Sequence, residues 1–188
     1  MNNKKIGIFV GSLRRGSFSR SIAKAAVSLS PAELEFRFIN IGDLPLYNQD
    51  FDDDGQLPKS YELFRNEVAE LDGFLFVTPE YNRSIPAVLK NALDVASRPY
   101  GHNVWSGKPG SIISVSPGGL GAFGANHHLR QPMGFLNILL LQQPEIYISK
   151  VTTLLNEQGE LVDESTRTHL KKFMDAFSEW VRVISESH

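Results

Sequence analysis

The chain has 188 residues, enough for one domain at about 150 residues per domain, and 41% of them are hydrophobic, which excludes disorder. Lys+Arg 19 against Asp+Glu 21 leave a formal charge of -2. That excludes a field strong enough to hold a polyanion, and with it a dedicated nucleic-acid protein, although one small phosphate can still be held by a local basic patch. With no cysteine, disulfides, thiolate nucleophiles and cysteine metal sites are all excluded.

The longest wholly apolar run, residues 138–141, is far short of the roughly 20 residues a membrane span needs. Residues 1–5 lead straight into a strand-like run with no signal-peptide core behind them. The expectation is a single-domain cytoplasmic protein with no membrane partner.

Residues 5–10 read as a strand buried on both faces and closed by Gly11. After a polar loop, a helix is predicted over 19–29, with Ser19 suited to cap it and Pro31 beyond its end. A second strand over 36–41, a long acidic loop over 43–58 and a helix over 59–70 follow. The third strand spans 73–78 and stops at Pro79, and Pro86 opens a helix to about Ser97. A fourth strand covers 111–116, and a helix over 125–141 contains Pro132, which should kink it or displace its start. A fifth short strand at 146–148 and an amphipathic helix over 164–185 complete the chain.

Five βα units whose strands are apolar throughout predict an α/β fold, a flavodoxin-like doubly wound five-stranded parallel sheet of order 2-1-3-4-5 with helices on both faces. In that order the ligand sits at the C-terminal ends of strands one, three and four. Three loops lie there, and all three are unusual.

The first, residues 11–19, carries several hydroxyls, Arg14 and Arg15 ahead of a helix N-terminus, which suits a phosphate. It lacks the lysine of a P-loop and the glycine spacing of a dinucleotide fingerprint, so a monophosphate such as FMN fits best. Asp43, where a ribose-binding acid sits in dinucleotide folds, lacks that fingerprint beside it. In the second loop two prolines stiffen Glu80-Tyr81-Asn82, and Asn82 is suited to bonding the edge of a planar heterocycle. The third, 116–121, is rich in glycines that bring bare backbone close to a flat ring.

Gly-Ser-Leu-Arg-Arg-Gly-Ser-Phe-Ser at 11–19, Thr-Pro-Glu-Tyr-Asn at 78–82 with Leu-Lys-Asn-Ala-Leu-Asp at 89–94, and Ser-Pro-Gly-Gly at 116–119 resemble the NADPH-dependent FMN reductase family, its quinone and chromate reductases above all. The resemblance runs from the first strand to the fifth. It implies that Ser12, Arg14, Ser17, Phe18 and Ser19 hold the FMN phosphate. Pro79, Glu80, Tyr81 and Asn82 would border the isoalloxazine and ribityl, and Ser116, Pro117, Gly118 and Gly119 the other side of the flavin. It also implies NADPH or NADH as co-substrate, and a homodimer or homotetramer.

The expected activity is hydride transfer from NAD(P)H to FMN, then reduction of a quinone, with chromate, an azo compound or free flavin as further acceptors. No acid–base or nucleophilic catalytic residue is expected, because the flavin supplies the chemistry. The alternative is a non-enzymatic flavodoxin-like electron carrier or flavin redox sensor, against which the small net charge argues. Residues 50–57 imitate an EF-hand loop, but Tyr61 stands where the bidentate glutamate belongs. His127-His128 diverge on a helix, so no metal site is expected. Val88, Ala92 and Val95 spread apolar surface around the helix after Pro86, which suggests burial against a second copy.

Overall fold

The computed structural model describes residues 3–186. Chain order is β1 (Lys4–Val10), α1 (Phe18–Leu29), β2 (Leu34–Phe38), α2 (Asp50–Asp53), α3 (Lys59–Ala69), β3 (Gly73–Thr78), α4 (Ala87–Ala96), β4 (Pro109–Val115), α5 (Phe123–Phe135), β5 (Leu139–Leu140), β6 (Ile146–Ile148) and α6 (Glu164–Glu186). From Ile6 to Val10, and throughout β3 and β4, every residue is buried. Strands without a wet face must be covered on both sides, and they are. Ile8, Leu75, Val77 and Ile113 point to the layer of α1 and α6, where they meet Ile22, Phe173 and Phe177. Phe9, Phe74 and Phe76 point the other way, to α3, α4 and α5. There Trp105 packs on Phe9 and Phe74 at centroid distances of 5.2 and 4.9 Å, and its indole N–H donates to the Leu93 carbonyl at 3.0 Å.

The sheet is parallel, with order β2-β1-β3-β4-β5 and β6 also on β4. The fifth position is therefore split. Leu139 and Leu140 pair with Pro109 and Gly110, Leu141 N–H still bonds Gly110 O at 2.9 Å, residues 142–145 leave the ladder, and Ile146 to Ile148 rejoin it beside Ile113 to Val115. Pro144 has no N–H to give the ladder, which fits a break at that point.

The helix expected over 125–141 is displaced at both ends. It starts at Phe123 and runs through Pro132 for one further turn. It stops because Asn137 adopts φ 59°, with Ile138 N–H bonding Met133 O at 3.0 Å and Asn137 N–H bonding Gly134 O at 3.2 Å. This is a Schellman end with asparagine in the left-handed position, and it sends the apolar run 138–141 into the sheet.

Two other expectations are corrected. The cap of α1 is Ser17, whose Oγ accepts from Arg20 N–H at 3.1 Å, while Ser19 lies inside the helix. The breadth of apolar surface on α4 is consumed within the chain, since Ala92 and Val95 are fully buried and Leu44, Tyr47, Phe51 and Leu57 of the acidic loop pack on the same core. Asn91 pins that loop by accepting from Tyr47 N–H at 2.8 Å and donating to Pro45 O at 2.8 Å. Arg65 grips Asp52 in a fork at 2.6 and 2.9 Å, and its Nε–H donates to Val95 O at 2.8 Å. A buried guanidinium satisfied in this way is costly to break.

Ser111, on the β4 face shared with Ile113, keeps a buried hydroxyl with no hydrogen-bond partner among the described residues. Such a group costs free energy without return. Ser111→Ala is therefore expected to raise stability by about 1 kcal/mol, read as a higher urea midpoint at unchanged slope. An unmoved or lower midpoint would mean that the hydroxyl has a partner.

Candidate flavin site

The first loop leaves β1 at Gly11, whose N–H still pairs with Val77 O at 2.9 Å. A Cβ at Gly11 would lie 2.6 Å from Leu89 Cδ1 and 3.1 Å from Pro79 Cδ, so only glycine lets this strand end pack against α4 and the second loop. Beyond it, Ser12, Ser17 and Ser19 are buried, yet the hydroxyls of Ser12 and Ser19 make no hydrogen bond among the described residues. With Arg20 N–H on Ser17 Oγ and Ser21 N–H on Ser17 O, the N–H groups of Phe18 and Ser19 at the helix start are left without an intrahelical acceptor. Arg14 is exposed and carries no ion pair among the described residues. The Phe18 ring packs against the α1–α6 core, so that residue has only its N–H to offer the crevice.

The second loop folds back as a two-residue hairpin. Tyr81 and Ser84 exchange N–H···O bonds of 3.0 and 2.9 Å, and Asn82 and Arg83 between them have φ 51° and 64°. Both central residues are left-handed, as a type I′ turn demands. Asparagine accepts that readily, whereas arginine there is strained. An anchor holds the turn nonetheless. Glu80 accepts from Ala125 N–H at 3.0 Å through one oxygen and from Arg83 at 2.8 Å through the other. Its carboxylate thus caps α5, a helix with no side-chain cap of its own at Ala122.

The third loop is tied down from below. Ser114 Oγ donates to Gly121 O at 2.7 Å, and Asn126 donates to Ser114 Oγ at 3.3 Å. Gly121 has φ 57°, and a Cβ there would lie 2.8 Å from the Tyr147 carbonyl carbon, so no other residue fits. At Gly119 an added Cβ would meet no protein atom within 4 Å, so the space that glycine leaves there belongs to the crevice.

These loops meet in two adjoining crevices. One, of about 210 Å³, is lined by Ser12, Arg14, Ser17, Phe18 and Ser19 from the first loop, Pro79, Glu80 and Tyr81 from the second, and Ser116 and Pro117 from the third. The other, of about 410 Å³, shares Glu80 and Ser116 and adds Asn82, Gly118 and Gly119. Together they fall within the roughly 300–1,000 Å³ of ordinary small-ligand sites. Serine hydroxyls, helix N–H groups and Arg14 at one end, where the carboxylate of Glu80 is already engaged by Ala125 N–H and Arg83, and bare glycine backbone at the other, fit a flavin mononucleotide. The supports that sequence reading missed are Ser114, Gly121 and the αL pair Asn82–Arg83. Only the glycine left a signal.

His127 and His128 diverge, to Tyr147 OH at 3.0 Å and Ser84 Oγ at 2.8 Å. Asp52, an acid of the EF-hand-like segment, is held by Arg65.

Sheet order and crevice define a flavin-binding α/β protein. Residues 4–153 match the NADPH-dependent FMN reductase family, and the chain belongs to it. It is accordingly an FMN- and NAD(P)H-dependent oxidoreductase with the flavodoxin-like fold expected from its strands. A 2-hydroxy-1,4-benzoquinone reductase of a Burkholderia species is 50% identical over 178 residues, 95% of this chain and 96% of that protein. A quinone reductase of Escherichia coli K12 is 35% identical over 177 residues, 93% and 94% of the two chains. Among solved structures, the flavoenzyme NAD(P)H:(acceptor) oxidoreductase of Paracoccus denitrificans superposes with a TM-score of 0.88 at 38% identity, covering 95% of this chain and 97% of that one.

Tyr147 backs the third loop at Gly121. Burial, then a hydrogen bond to Glu145 and that residue's charge, push its phenol from 10.0 up to about 12. A raised folded-state value means the protonated phenol supports the fold below pH 10 and that support is lost as pH rises toward about 12. Tyr147→Phe should therefore show a shallower loss of stability across that window than the wild type in thermal unfolding. Parallel alkaline limbs would count against the shift.

Proposed function

We propose that FMN lies across the two crevices, its phosphate in the smaller and its ring system in the larger, and serves the NAD(P)H-dependent reduction of a quinone. The observation that carries this reading is the convergence at one strand-end corner of free hydroxyls, helix N–H groups and an unpaired arginine on one side and bare glycine backbone on the other. Ser12, Arg14, Ser17, Ser19 and the Phe18 N–H hold the phosphate. Pro79 to Asn82 border the ribityl chain and one side of the ring, and Ser116, Pro117, Gly118 and Gly119 the other.

FMN held by these residues would supply the redox chemistry, as acceptor of a hydride from NAD(P)H and donor of electrons to the quinone. The protein's own part is positioning. Glu80 and Ser114 hold the second and third loops at a fixed separation, and Tyr81 and Leu120, 47% and 62% exposed, offer flat apolar surface at the rim for a nicotinamide or quinone ring. The quinone reductases among the relatives support that acceptor class. They also favour an enzyme over a one-electron carrier.

The protein is further proposed to be a cytoplasmic homodimer or homotetramer. No helix among the described residues is long and apolar enough to cross a membrane. A groove of about 910 Å³ between α4 and α5 leaves Phe135 and Tyr100 89% and 91% exposed, and a second copy would cover them. Sedimentation equilibrium should then give a species heavier than the 21.0 kDa chain.

The flavin assignment is tested with Arg14→Gln, an exposed change that leaves the Ser17 cap intact. Losing one charge-assisted hydrogen bond of about 1.5–3 kcal/mol should weaken FMN roughly 10- to 150-fold and riboflavin, which has no phosphate, far less. Fluorescence quenching reads both affinities, and 1,4-benzoquinone-dependent NAD(P)H oxidation should fall with FMN retention. An unchanged FMN-to-riboflavin ratio would remove Arg14 from the phosphate site.

A further inference from the structure

Beside the phosphate crevice, at the C-terminal ends of β1 and β2, runs a second groove of about 220 Å³ that shares Ser12 and Arg14 with it. We propose that this groove holds the adenosine 2′-phosphate end of NADPH, with the adenine on Phe38 and the 2′-phosphate on Arg20. The proposal rests on the reading above, in which NAD(P)H meets a flavin in the adjoining crevices.

Three observations carry it. The Phe38 ring stands 37% exposed on the edge strand, and the Arg20 guanidinium lies 5.2 Å from its centroid. A partly exposed aromatic ring with a planar cation over one face, both at one groove, suits a heteroaromatic base that carries a phosphate.

The second observation is charge. Arg37, Arg65, Arg83, Arg130, Arg167 and Arg182 each pair with a carboxylate. Arg14, Arg15, Arg20 and Arg98 have no carboxylate partner among the described residues, and of these four Arg14 and Arg20 line this groove, whose lining includes no acid. Asp43 is turned onto Asn40 Nδ2 at 2.6 Å and is not part of the lining. In a chain of net charge -2, two unneutralised guanidiniums around one cavity favour an anion.

The third is placement. In dinucleotide-binding sheets the region after the second strand reads the adenosine ribose, an acid accepting its free 2′-hydroxyl and an arginine accommodating a 2′-phosphate. Here the segment after β2 supplies Ile39, Asn40 and Ile41 to the groove, and the arginines, Arg14 and Arg20, reach it from the first loop and α1 rather than through a dinucleotide fingerprint. Because Arg14 walls both cavities, a nicotinamide nucleotide laid along the flavin from ring toward phosphate would leave its adenosine end in this groove. The groove therefore reads which nicotinamide nucleotide is preferred, and it favours the one with the extra phosphate.

The test uses FMN-loaded protein and isothermal titration with adenosine 2′,5′-bisphosphate, adenosine 5′-monophosphate and inorganic phosphate. The bisphosphate should bind most tightly to the wild type. Arg20→Gln should weaken it about 10- to 150-fold and bring it level with the monophosphate, and should lower the NADPH-to-NADH ratio of kcat/KM by a similar factor. Phe38→Ala should weaken both nucleotides and spare inorganic phosphate. A bisphosphate no tighter than the monophosphate or phosphate on the wild type overturns the proposal, as does an Arg20→Gln loss that is equal for NADPH and NADH. Wild-type oxidation of NAD(P)H with 1,4-benzoquinone reports separately on the catalytic reading. Bisphosphate binding without turnover sinks that reading and keeps the groove, whereas turnover without bisphosphate binding does the reverse.

Discussion

The parallel pairing of β1, β3 and β4 is the constraint from which the site follows. Val10 lies beside Val77, and Thr78 beside Ser114, so the three strands stop at nearly one level. Strands buried on both faces need connections that cross over helices, and those crossovers deliver every strand end to the same edge of the sheet. Three loops are thereby brought side by side with no specific attraction between them. What remains for individual residues is to fix how far apart the loops stand, and that falls to a few polar contacts.

Glu80 is the most economical of these contacts. One carboxylate caps α5 at Ala125 and restrains Arg83, so it joins the second loop to the helix that begins the far side of the third. Ser114 does the complementary work from inside the sheet, holding Gly121 from a fully buried position. Hydrogen bonds of this sort contribute only about 1 kcal/mol each to stability, but they fix a geometry that apolar packing would leave loose. The local conformations they hold are unfavourable ones. Arg83 at φ 64° and Ala122 at φ 59° are non-glycine residues in the left-handed region, both within the site.

Continuous apolar strands made the sheet readable from sequence, and its order followed from the βα alternation. The serines of 11–19 and the glycines of 116–121 made the loops readable, because hydroxyls and bare backbone are chemical statements in themselves. What escaped was settled by tertiary partners. Ser17 rather than Ser19 caps α1 because the chain turns one residue pair earlier than the hydroxyl pattern alone can show. Leu139 and Leu140 look helical by composition, yet Asn137 in the left-handed position ends α5 before them. Ala92 and Val95 on α4 read from sequence as a surface for a partner, but the acidic loop, pinned by Asn91 and Arg65, packs on the same core.

The arrangement of charge bears on how such a protein can use a cofactor without being occupied by its own side chains. Where a carboxylate stands near the crevices it is already engaged, as Glu80 is by α5 and Arg83, so it offers little repulsion to an incoming phosphate. Where an arginine stands near them without a partner, as Arg14 and Arg20 do, it is exposed and hydrated, and binding an anion replaces water rather than breaking an ion pair. The site is therefore poised by what it leaves unpaired. In the proposed binding mode the serine hydroxyls, the helix N–H groups and Arg14 receive the FMN phosphate, and Arg20, beside the adjoining groove, adds attraction where a second phosphate reaches it. If FMN and the nicotinamide nucleotide bind as proposed, that division would let one small domain keep a cofactor resident while a chemically related nucleotide comes and goes beside it.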